Sequence, residues 1–289
     1  MKIKELREDF VDELSELYDR EEVLSFFYIL SEEFLGLKRV DIALALDKVV
    51  GEKEVHCIAE AKNRLKNSDP IQYIIGETKF YGLSFEVSQD VLIPRPETEE
   101  LVDWILKDCK DRNERERLRI LDIGTGSGCI AISLAKNLAN ATVHAMDISQ
   151  EAIRIAKSNA VKNNVEIHFI SENVLKLKKL DDYYDIVVSN PPYVRTMEKE
   201  EMKANVLDHE PHIALFVTDH EPLVFYEKIT ELVKLSLKDE GVLYFEINQY
   251  LGNETKKMIE EKGFGLVELR KDLYTNDRMI KAKLKNNEL

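Results

Sequence analysis

From residue 118 onward the chain alternates short apolar runs with stretches of helical periodicity, and this alternation limits the fold more than any other feature. The runs LRILDI (118–123), ATVHAM (141–146), VEIHFI (165–170), DIVVSN (185–190) and GVLYFEI (241–247) read as strands. The stretches 127–139, 150–163, 220–238 and 251–262 read as helices between most of them. Strands alternating with helices of this length are parallel and joined by crossovers, which makes a doubly wound α/β sheet. The last two runs, GLVELR (265–270) and DRMIKAKL (277–284), are separated only by the turn-rich KDLYTND. That spacing is too short for a helical crossover, so this pair is expected to be antiparallel. The expectation is a seven-stranded, Rossmann-like α/β sheet whose last strand is antiparallel.

Upstream of residue 77 the pattern is helical. Leu6, Phe10, Leu14 and Leu17 recur at helical spacing, followed by SFFYILSEEFLGL, VDIALALDKVV and VHCIAEAKNRL. Gly36 and Gly51 stand where helices are expected to stop. Asp69-Pro70 reads as an N-cap followed by a proline in the first turn of IQYII, a helix that Gly76 would end. KFYGLSFEVSQDVLI then alternates apolar and polar residues around Gly82, the pattern of a β-hairpin. The expected organisation is a small helical bundle over 1–76, read either as a substrate-docking domain or as simple packing, a hairpin linker over 77–93 and the α/β domain over 94–289, with no internal repeat.

At 289 residues, 44% hydrophobic and 33% charged, the composition is that of a globular protein with one large domain or two ordinary ones. A formal net charge of -14 argues against tight binding to a nucleic-acid backbone, which calls for a basic stripe. The acidic balance fits either plain solubility or a basic protein partner. Cys57, Cys109 and Cys129 lack C-x-x-C spacing and nearby histidine pairs, so they read as reduced thiols, with no zinc site and no disulfide. His209 and His212 are too isolated to suggest a metal. MKIKELREDF lacks the apolar core of a signal peptide, and no run is long enough to span a bilayer. A cytoplasmic location without membrane association is expected.

Asp122-Ile123-Gly124-Thr125-Gly126-Ser127-Gly128 follows the first strand of the α/β region and opens a helix. Glycines at alternate positions let the backbone turn sharply and approach a ligand closely. The D-x-G-x-G-x-G spacing differs from the G-x-G-x-x-G of dinucleotide sites and suits a cofactor with no pyrophosphate to cradle. A tight βα turn without a ligand is the alternative. Asp147 ends the second strand, where an acidic side chain binds two ribose hydroxyls; it could instead cap the helix near Gln150, a role that Ser149 fills equally well. A ribose there does not choose between nucleoside cofactors. Asn173 follows the third strand at the edge where an adenine would lie, and reads either as a base contact or as a plain turn residue.

Asn190-Pro191-Pro192-Tyr193 follows the fourth strand at the carboxyl edge of the sheet, where open α/β folds bind ligands. Two consecutive prolines fix φ and supply no N–H, so the backbone is rigid and presents carbonyl oxygens. The Asn190 side-chain oxygen and the Pro191 carbonyl can each accept one N–H of a substrate NH2 group. Both direct partial negative charge at a nitrogen that becomes positive as it attacks a methyl sulfonium. Tyr193 offers a flat face against which a planar amide or base can pack. A proline-rich turn with Asn190 as an ordinary turn residue is the alternative.

With these motifs the chain resembles the HemK/PrmC family, the protein-(glutamine-N5) methyltransferases of peptide chain release factors. The resemblance runs from about Pro70 to Lys283. It includes PIQYIIGETKFYGLSFEV, LIPRPETEELVDWIL, DIGTGSGCIAISLA, MDIS, VVSNPPYV, HEPHIAL and KDLYTNDR. It implies a class I methyltransferase domain behind a helical domain and hairpin, with S-adenosyl-L-methionine as donor and S-adenosyl-L-homocysteine as product. The implied substrate is the glutamine of the GGQ loop of class 1 release factors. By position, Gly124, Thr125, Gly126, Ser127, Gly128, Asp147, Asn173 and Asn190 match the family's cofactor contacts. Asn190, Pro191, Pro192 and Tyr193 match its glutamine clamp, with Asn190, Pro191 and Tyr193 as the catalytic set. Two positions depart from the pattern: family members often have a larger residue at Asn173, and usually a glycine where FEINQYLG has Asn248.

In the IPRPETE segment, Pro96 is a plausible first helical residue, and Glu97, Glu99 and Glu100 would favour the helix dipole. A ligand contact from Arg95 or Thr98 stays open, as does one from Glu210, whose Glu210-Pro211 pair also reads as a loop bend. The NPPY tetrapeptide is shared with DNA adenine methyltransferases. An adenine-N6 enzyme would need a recognition region and a basic cleft, which length and charge disfavour. A glutamine methyltransferase of a ribosomal protein would share the same site. A cofactor-binding module without activity is disfavoured by the intact Asn190 clamp, and a nicotinamide oxidoreductase by the glycine spacing. No direct nucleic-acid binding is expected.

Overall fold

The computed structural model describes residues 1–110 and 117–285. Residues 111–116 and 286–289, parts of the expected 94–289 domain, lie outside the described residues. The chain divides into two compact units. One comprises Met1–Gly76 with Lys203–His209, and the other Glu77–Met202 with Glu210–Leu289.

The first unit contains α1 (Ile3–Leu14), α2 (Arg20–Leu35), α3 (Arg39–Leu44), α4 (Glu52–Lys66) and α5 (Ile71–Ile75), with one further turn at Ala204–Leu207. Ile3, Leu6, Phe10 and Leu14 share one face of α1 because they recur every three or four residues. They pack with Phe27 and Leu30 of α2 and Ile58 and Leu65 of α4. Lys62 crosses between helices, its Nζ donating to Asp9 and Glu13 at 2.5 Å each. Gly36 ends α2 in a left-handed conformation, as expected. Gly51 does the opposite of what its position suggested: it precedes α4 as the N-cap, with φ −67°. Leu17 falls beyond the end of α1 and is 58% exposed. Only Arg39–Leu44 of the VDIALALDKVV region is helical, and Val49 forms an antiparallel bridge with Lys2. Pro70, in an extended conformation, is the residue that precedes α5. Asp69 is drawn instead to Arg64 Nε at 2.6 Å and His209 Nδ1 at 3.0 Å.

The second unit opens with a hairpin of β1 (Glu77–Phe80) and β2 (Leu83–Glu86), paired Glu77 to Glu86 and Phe80 to Leu83. Its loop is two residues long, Tyr81 at φ 48° and Gly82 at φ 74°. Positive φ at both central positions matches the twist of the flanking strands. After α6 (Pro96–Cys109) come β3 (Leu118–Ile123), α7 (Cys129–Asn137), β4 (Ala141–Asp147), α8 (Gln150–Lys162), β5 (His168–Ser171) and β6 (Tyr184–Ser189). Then follow α9 (Val224–Lys234), β7 (Leu237–Glu246), α10 (Gly252–Glu261), β8 (Phe264–Lys271) and β9 (Asp277–Leu284). A two-residue parallel pair, Val194–Arg195 with Phe216–Val217, lies apart from the main sheet.

The seven-stranded sheet has the order β8-β9-β7-β6-β3-β4-β5. β3 to β7 are parallel, and β9 is antiparallel to both β7 and β8. The last strand therefore lies inside the sheet, between β7 and β8. Side chains alternate between two apolar layers, as the strand period of two requires. Ile120, Val143, Val188 and Tyr244 face α6 and α7, while Leu121, Met146, Val187 and Phe245 face α9 and α10. From β3 the chain winds outward through β4 and β5, then returns to lay β6 on the other side of β3. That reversal opens a crevice at the carboxyl ends of β3 and β6.

Trp104 of α6 is 2% exposed, edge-on to Tyr244 at 5.7 Å, with the Arg270 guanidinium 3.8 Å above its ring. Trp104→Ala is expected to cost about 3–5 kcal/mol of stability, and Leu17→Ala less than about 0.5 kcal/mol. Urea unfolding midpoints of the two variants check this.

Candidate active site

The site begins with the turn out of β3. Gly124, Gly126 and Gly128 all have positive φ, at 76°, 53° and 83°. The amides of Gly124 and Thr125 donate to the Met146 carbonyl at 2.8 and 3.0 Å, which ties the loop to β4. The expected loop residues separate into two groups. Gly124 and Gly126 line a cavity of about 300 Å³ at the carboxyl edge of the sheet. Thr125, Ser127 and Gly128 do not line it. A Cβ on Gly128 would stand 2.9 Å from Ile132 Cδ1 and 3.1 Å from Ala156 Cβ, so this glycine lets α7 and α8 approach each other. The Ser127 carbonyl accepts from Asn159 Nδ2 at 3.0 Å, and Thr125 Oγ1 donates to Asp122 Oδ2 at 2.6 Å. Asp122 is fully buried, and burial pushes its carboxyl up to about 7, the Thr125 hydroxyl pulling it back only in part.

Asp147 lines the same cavity. Its Oδ2 accepts from Gly126 N and its Oδ1 from Ser149 N, both at 2.9 Å. Ser149 is the cap of α8, its hydroxyl accepting from Ala152 N at 3.1 Å. Capping therefore falls to Ser149. Asp147 keeps lone pairs toward the cavity, since a carboxylate offers about four acceptor sites. Burial raises its pKa, while the backbone N–H donors oppose the rise. Asn173 lines the cavity as well, and its Oδ1 accepts from Leu175 N at 2.9 Å. The turn role occupies its oxygen, leaving Nδ2 as the group with which it can reach a base. Ile148, Val174, Leu175 and Phe225 supply apolar walls. A polar rim from Asp147 and Asn173 against apolar walls fits a nucleoside, and a Cβ at Gly126 would meet nothing within 4 Å, so the turn leaves open space where a ligand would lie.

Across the cavity stands the NPPY loop. Ser189 Oγ donates to the Ile123 carbonyl at 2.6 Å, fixing the end of β6 to the end of β3. Asn190, Pro191 and Pro192 line the cavity, and the position of a Cβ on Gly124 is 3.9 Å from the Asn190 carbonyl oxygen. Tyr193 does not line it. Its ring packs on the apolar layer beneath the sheet, and its hydroxyl donates to Glu246 Oε1 at 3.1 Å. Burial, with the Glu246 charge beside it, holds the phenol far above its ordinary pKa. Asn248 Nδ2 donates to the Tyr193 carbonyl and to Glu198 Oε2, both at 2.9 Å. The asparagine at the position where the family pattern has glycine thus ties the end of β7 to the loop, and it lies outside the cavity lining.

Arg95 and Glu210 lie outside that lining too. Arg95 Nη2 donates to Glu210 Oε1 at 2.6 Å, and Ile93 N donates to Glu210 Oε2 at 3.3 Å. Glu210 therefore clasps the segment before α6. Among the described residues no group of three or more His, Cys, Asp or Glu is placed to hold a metal ion. The cavity walls from Val91, Leu92, Ile213 and Phe225, and the buried Glu246, were not singled out from the sequence. Glu246 had a visible signal: it is the one charged residue in the apolar run GVLYFEI.

The Asp122 carboxyl gives a pH prediction. Between an unfolded value of about 3.9 and a folded value of about 7, the native state holds a proton that the unfolded chain has released. Its contribution is full below the lower value and falls as pH rises through the window, by at most about 1.4 kcal/mol per pH unit. Asp122→Asn is expected to flatten the pH dependence of unfolding free energy between pH 4 and 7; an unchanged slope would show that Asp122 is ionised in the native protein. Gly128→Ala, strained in φ and in contact distance, is expected to lower the unfolding free energy by about 1–3 kcal/mol, read as a lower urea midpoint.

The comparisons with known proteins show where the chain is related to others. The PrmC N-terminal domain model matches residues 5–76, and the methyltransferase small domain model matches residues 104–213. A release factor glutamine methyltransferase of Flavobacterium psychrophilum is 52% identical over 285 residues, covering 99% of this chain and all of that one. One of Bacteroides thetaiotaomicron is 44% identical over 93% of this chain and 95% of its own, and one of Bacillus subtilis 38% over 88% of each. Among solved structures, the hMettl16 catalytic domain in complex with the MAT2A 3'UTR hairpin 6 superposes with a TM-score of 0.54 at 16% identity, covering 82% of this chain and 83% of that one. The T. thermophilus 16S rRNA N2 G1207 methyltransferase has a TM-score of 0.52 at 17% identity, covering 72% and 50%. At these identities the structural matches speak for the class I methyltransferase fold alone. The sequence matches, which span nearly the whole chain, speak for more: this protein belongs to the family of release factor glutamine methyltransferases.

Proposed function

We propose that this chain transfers a methyl group from S-adenosyl-L-methionine to the side-chain amide nitrogen (N5) of the glutamine in the GGQ loop of class 1 release factors. One observation carries the reading. Asn190, Pro191 and Pro192 line the same cavity as Gly124, Gly126 and Asp147, so a nitrogen clamp and a nucleoside rim share one space. The family relationship turns the nitrogen toward a glutamine amide.

When bound, S-adenosylmethionine supplies an electrophilic methyl on a sulfonium and leaves as S-adenosylhomocysteine. Asp147 takes the ribose hydroxyls, Gly124 and Gly126 admit the ligand close to the backbone, and Asn173 Nδ2 reaches the base. Asn190 Oδ1 and the Pro191 carbonyl each accept one N–H of the substrate amide, which turns the nitrogen lone pair toward the methyl carbon. Their partial charges stabilise the nitrogen as it becomes positive. No strong base is required, because the alkylated nitrogen releases its proton readily. Alignment is the main contribution of the protein, and the two prolines preserve it by fixing φ. Tyr193 secures the loop from behind through Glu246. The helical unit over 1–76 is the docking surface for the release factor, and a net charge of -14 suits a basic partner.

Purified protein with labelled cofactor should label release factors, and neither DNA nor ribosomal proteins. Label on DNA alone would overturn the reading; label that survives glutamine-to-alanine replacement in the GGQ loop would overturn the assigned substrate atom. Asn190→Ala is expected to lower kcat by about 100-fold or more, with cofactor affinity changed only a few-fold. Equal losses in both would show that Asn190 serves the cofactor and not the amide.

A further inference from the structure

The Asn190 amide has two orientations, and only one suits the reaction proposed above, on which this inference rests. With its oxygen toward the substrate it accepts an N–H. Turned over, its NH2 would face the substrate NH2, donor against donor. The choice is made on the far side of the residue. Asn190 Nδ2 donates to Thr98 Oγ1 at 3.3 Å, and Thr98 Oγ1 donates to Glu246 Oε2 at 2.6 Å. A hydroxyl has a single proton. Once the carboxylate has taken it, the Thr98 oxygen can only accept, so it selects the NH2 of Asn190 and leaves Oδ1 to the cavity. The carboxylate is itself held by Tyr193 O–H, which donates to Oε1 at 3.1 Å, and Tyr226 O–H donates to the Glu246 main-chain carbonyl at 3.2 Å, anchoring the backbone from which it projects. Thr98 is 2% and Glu246 1% exposed, so bulk water does not compete for these bonds.

We propose that Thr98 and Glu246 are positioning residues for methyl transfer, a one-way hydrogen-bond relay that holds the Asn190 amide with its oxygen toward the substrate nitrogen. Neither residue touches the substrate. The relay reverses when Glu246 is neutral: the acid donates to Thr98, Thr98 donates to Asn190 Oδ1, and the amide turns over. The groups facing Glu246 are Thr98 and Glu97 of α6, Cys129 of α7, Tyr193 of the loop, Tyr226 of α9 and Arg278 of β9. Burial raises the Glu246 carboxyl above the ordinary glutamate value, while Thr98, Arg278 and Tyr193 oppose the rise. A carboxylate so raised is lost as pH falls through its folded value, so kcat should decline on the acid side earlier than an exposed glutamate would dictate.

The test uses the full-length protein with release factor as substrate. Thr98→Val keeps the shape and removes the hydroxyl, and kcat/KM for release factor should fall about 10- to 100-fold. Affinity for S-adenosylhomocysteine should stay within about two-fold of wild type, since the cofactor rim does not use the relay. Thr98→Ser should restore activity, and the acid limb of the kcat profile should be present in wild type and Thr98→Ser but absent from Thr98→Val. Glu246→Gln, whose amide can donate to Thr98, should behave as Thr98→Val does at every pH. Independently of methyl transfer, the Asn190 side-chain NH2 resonances in a 15N-labelled protein, assigned by their loss in Asn190→Ala, should move in Thr98→Val and stay in Thr98→Ser. Wild-type kinetics and unmoved resonances in Thr98→Val would overturn the relay. A wild-type protein that leaves release factors unlabelled would instead overturn the substrate reading, with the resonances still reporting on the relay.

Discussion

The joint between β3 and β6 holds the rest of the site in place. Ser189 donates to the Ile123 carbonyl across the two strand ends, and directly beyond it a Cβ on Gly124 would come within van der Waals reach of the Asn190 carbonyl oxygen. β3 has parallel neighbours on both sides, β4 laid down before the reversal and β6 after it. The two connections leave in opposite directions, which is why a crevice opens there. One wall of that crevice is a glycine turn and the other a proline-stiffened loop. A cofactor and a planar amide can meet in it without either element having to move.

Around the joint the protein buries carboxylates and supplies each with donors. Asp122 supports the glycine turn through Thr125, Asp147 is pinned by two backbone amides, and Glu246 gathers Thr98 and Tyr193. Burying such groups is costly unless their hydrogen bonds are met: Glu246 takes donors from α6 and the NPPY loop, Asp147 from the glycine turn and the start of its own following loop, and Asp122 from Thr125. A buried acid of this kind exchanges stability for a fixed geometry. The loops at the sheet edge would otherwise be free to adopt many conformations, and a displacement of about 1 Å in an aligned transfer is expensive in rate.

Much of this was legible along the chain. The alternation of strands and helices, the short KDLYTND connection and the NPPY run after the fourth strand are local patterns, and local patterns survive into the fold. The failures have local causes as well. Gly51 carries the same residue type at a helix start as Gly36 does at a helix end, and only φ separates them, −67° against +63°. Leu17 kept the helical spacing after the helix had stopped. Asp69 lost its capping role because Arg64 and His209 hold its carboxylate, and His209 is remote in sequence.

By itself the sequence determined the sheet type, the antiparallel last strand, the placement of the glycine turn and the NPPY loop, and the family. Each follows from residue order: period, turn length, proline and glycine positions. Only the tertiary structure decided which motif residues face the cavity. Gly124 and Gly126 do, whereas Gly128 makes room for two helices to pack. Asn190, Pro191 and Pro192 do, whereas Tyr193 turns inward to a carboxylate from β7. Thr98, Asn190 and Glu246 come from three separate elements, far apart in the chain. Which way an amide points depends on where a single hydroxyl proton goes, and that is settled by groups that meet only after the sheet has closed.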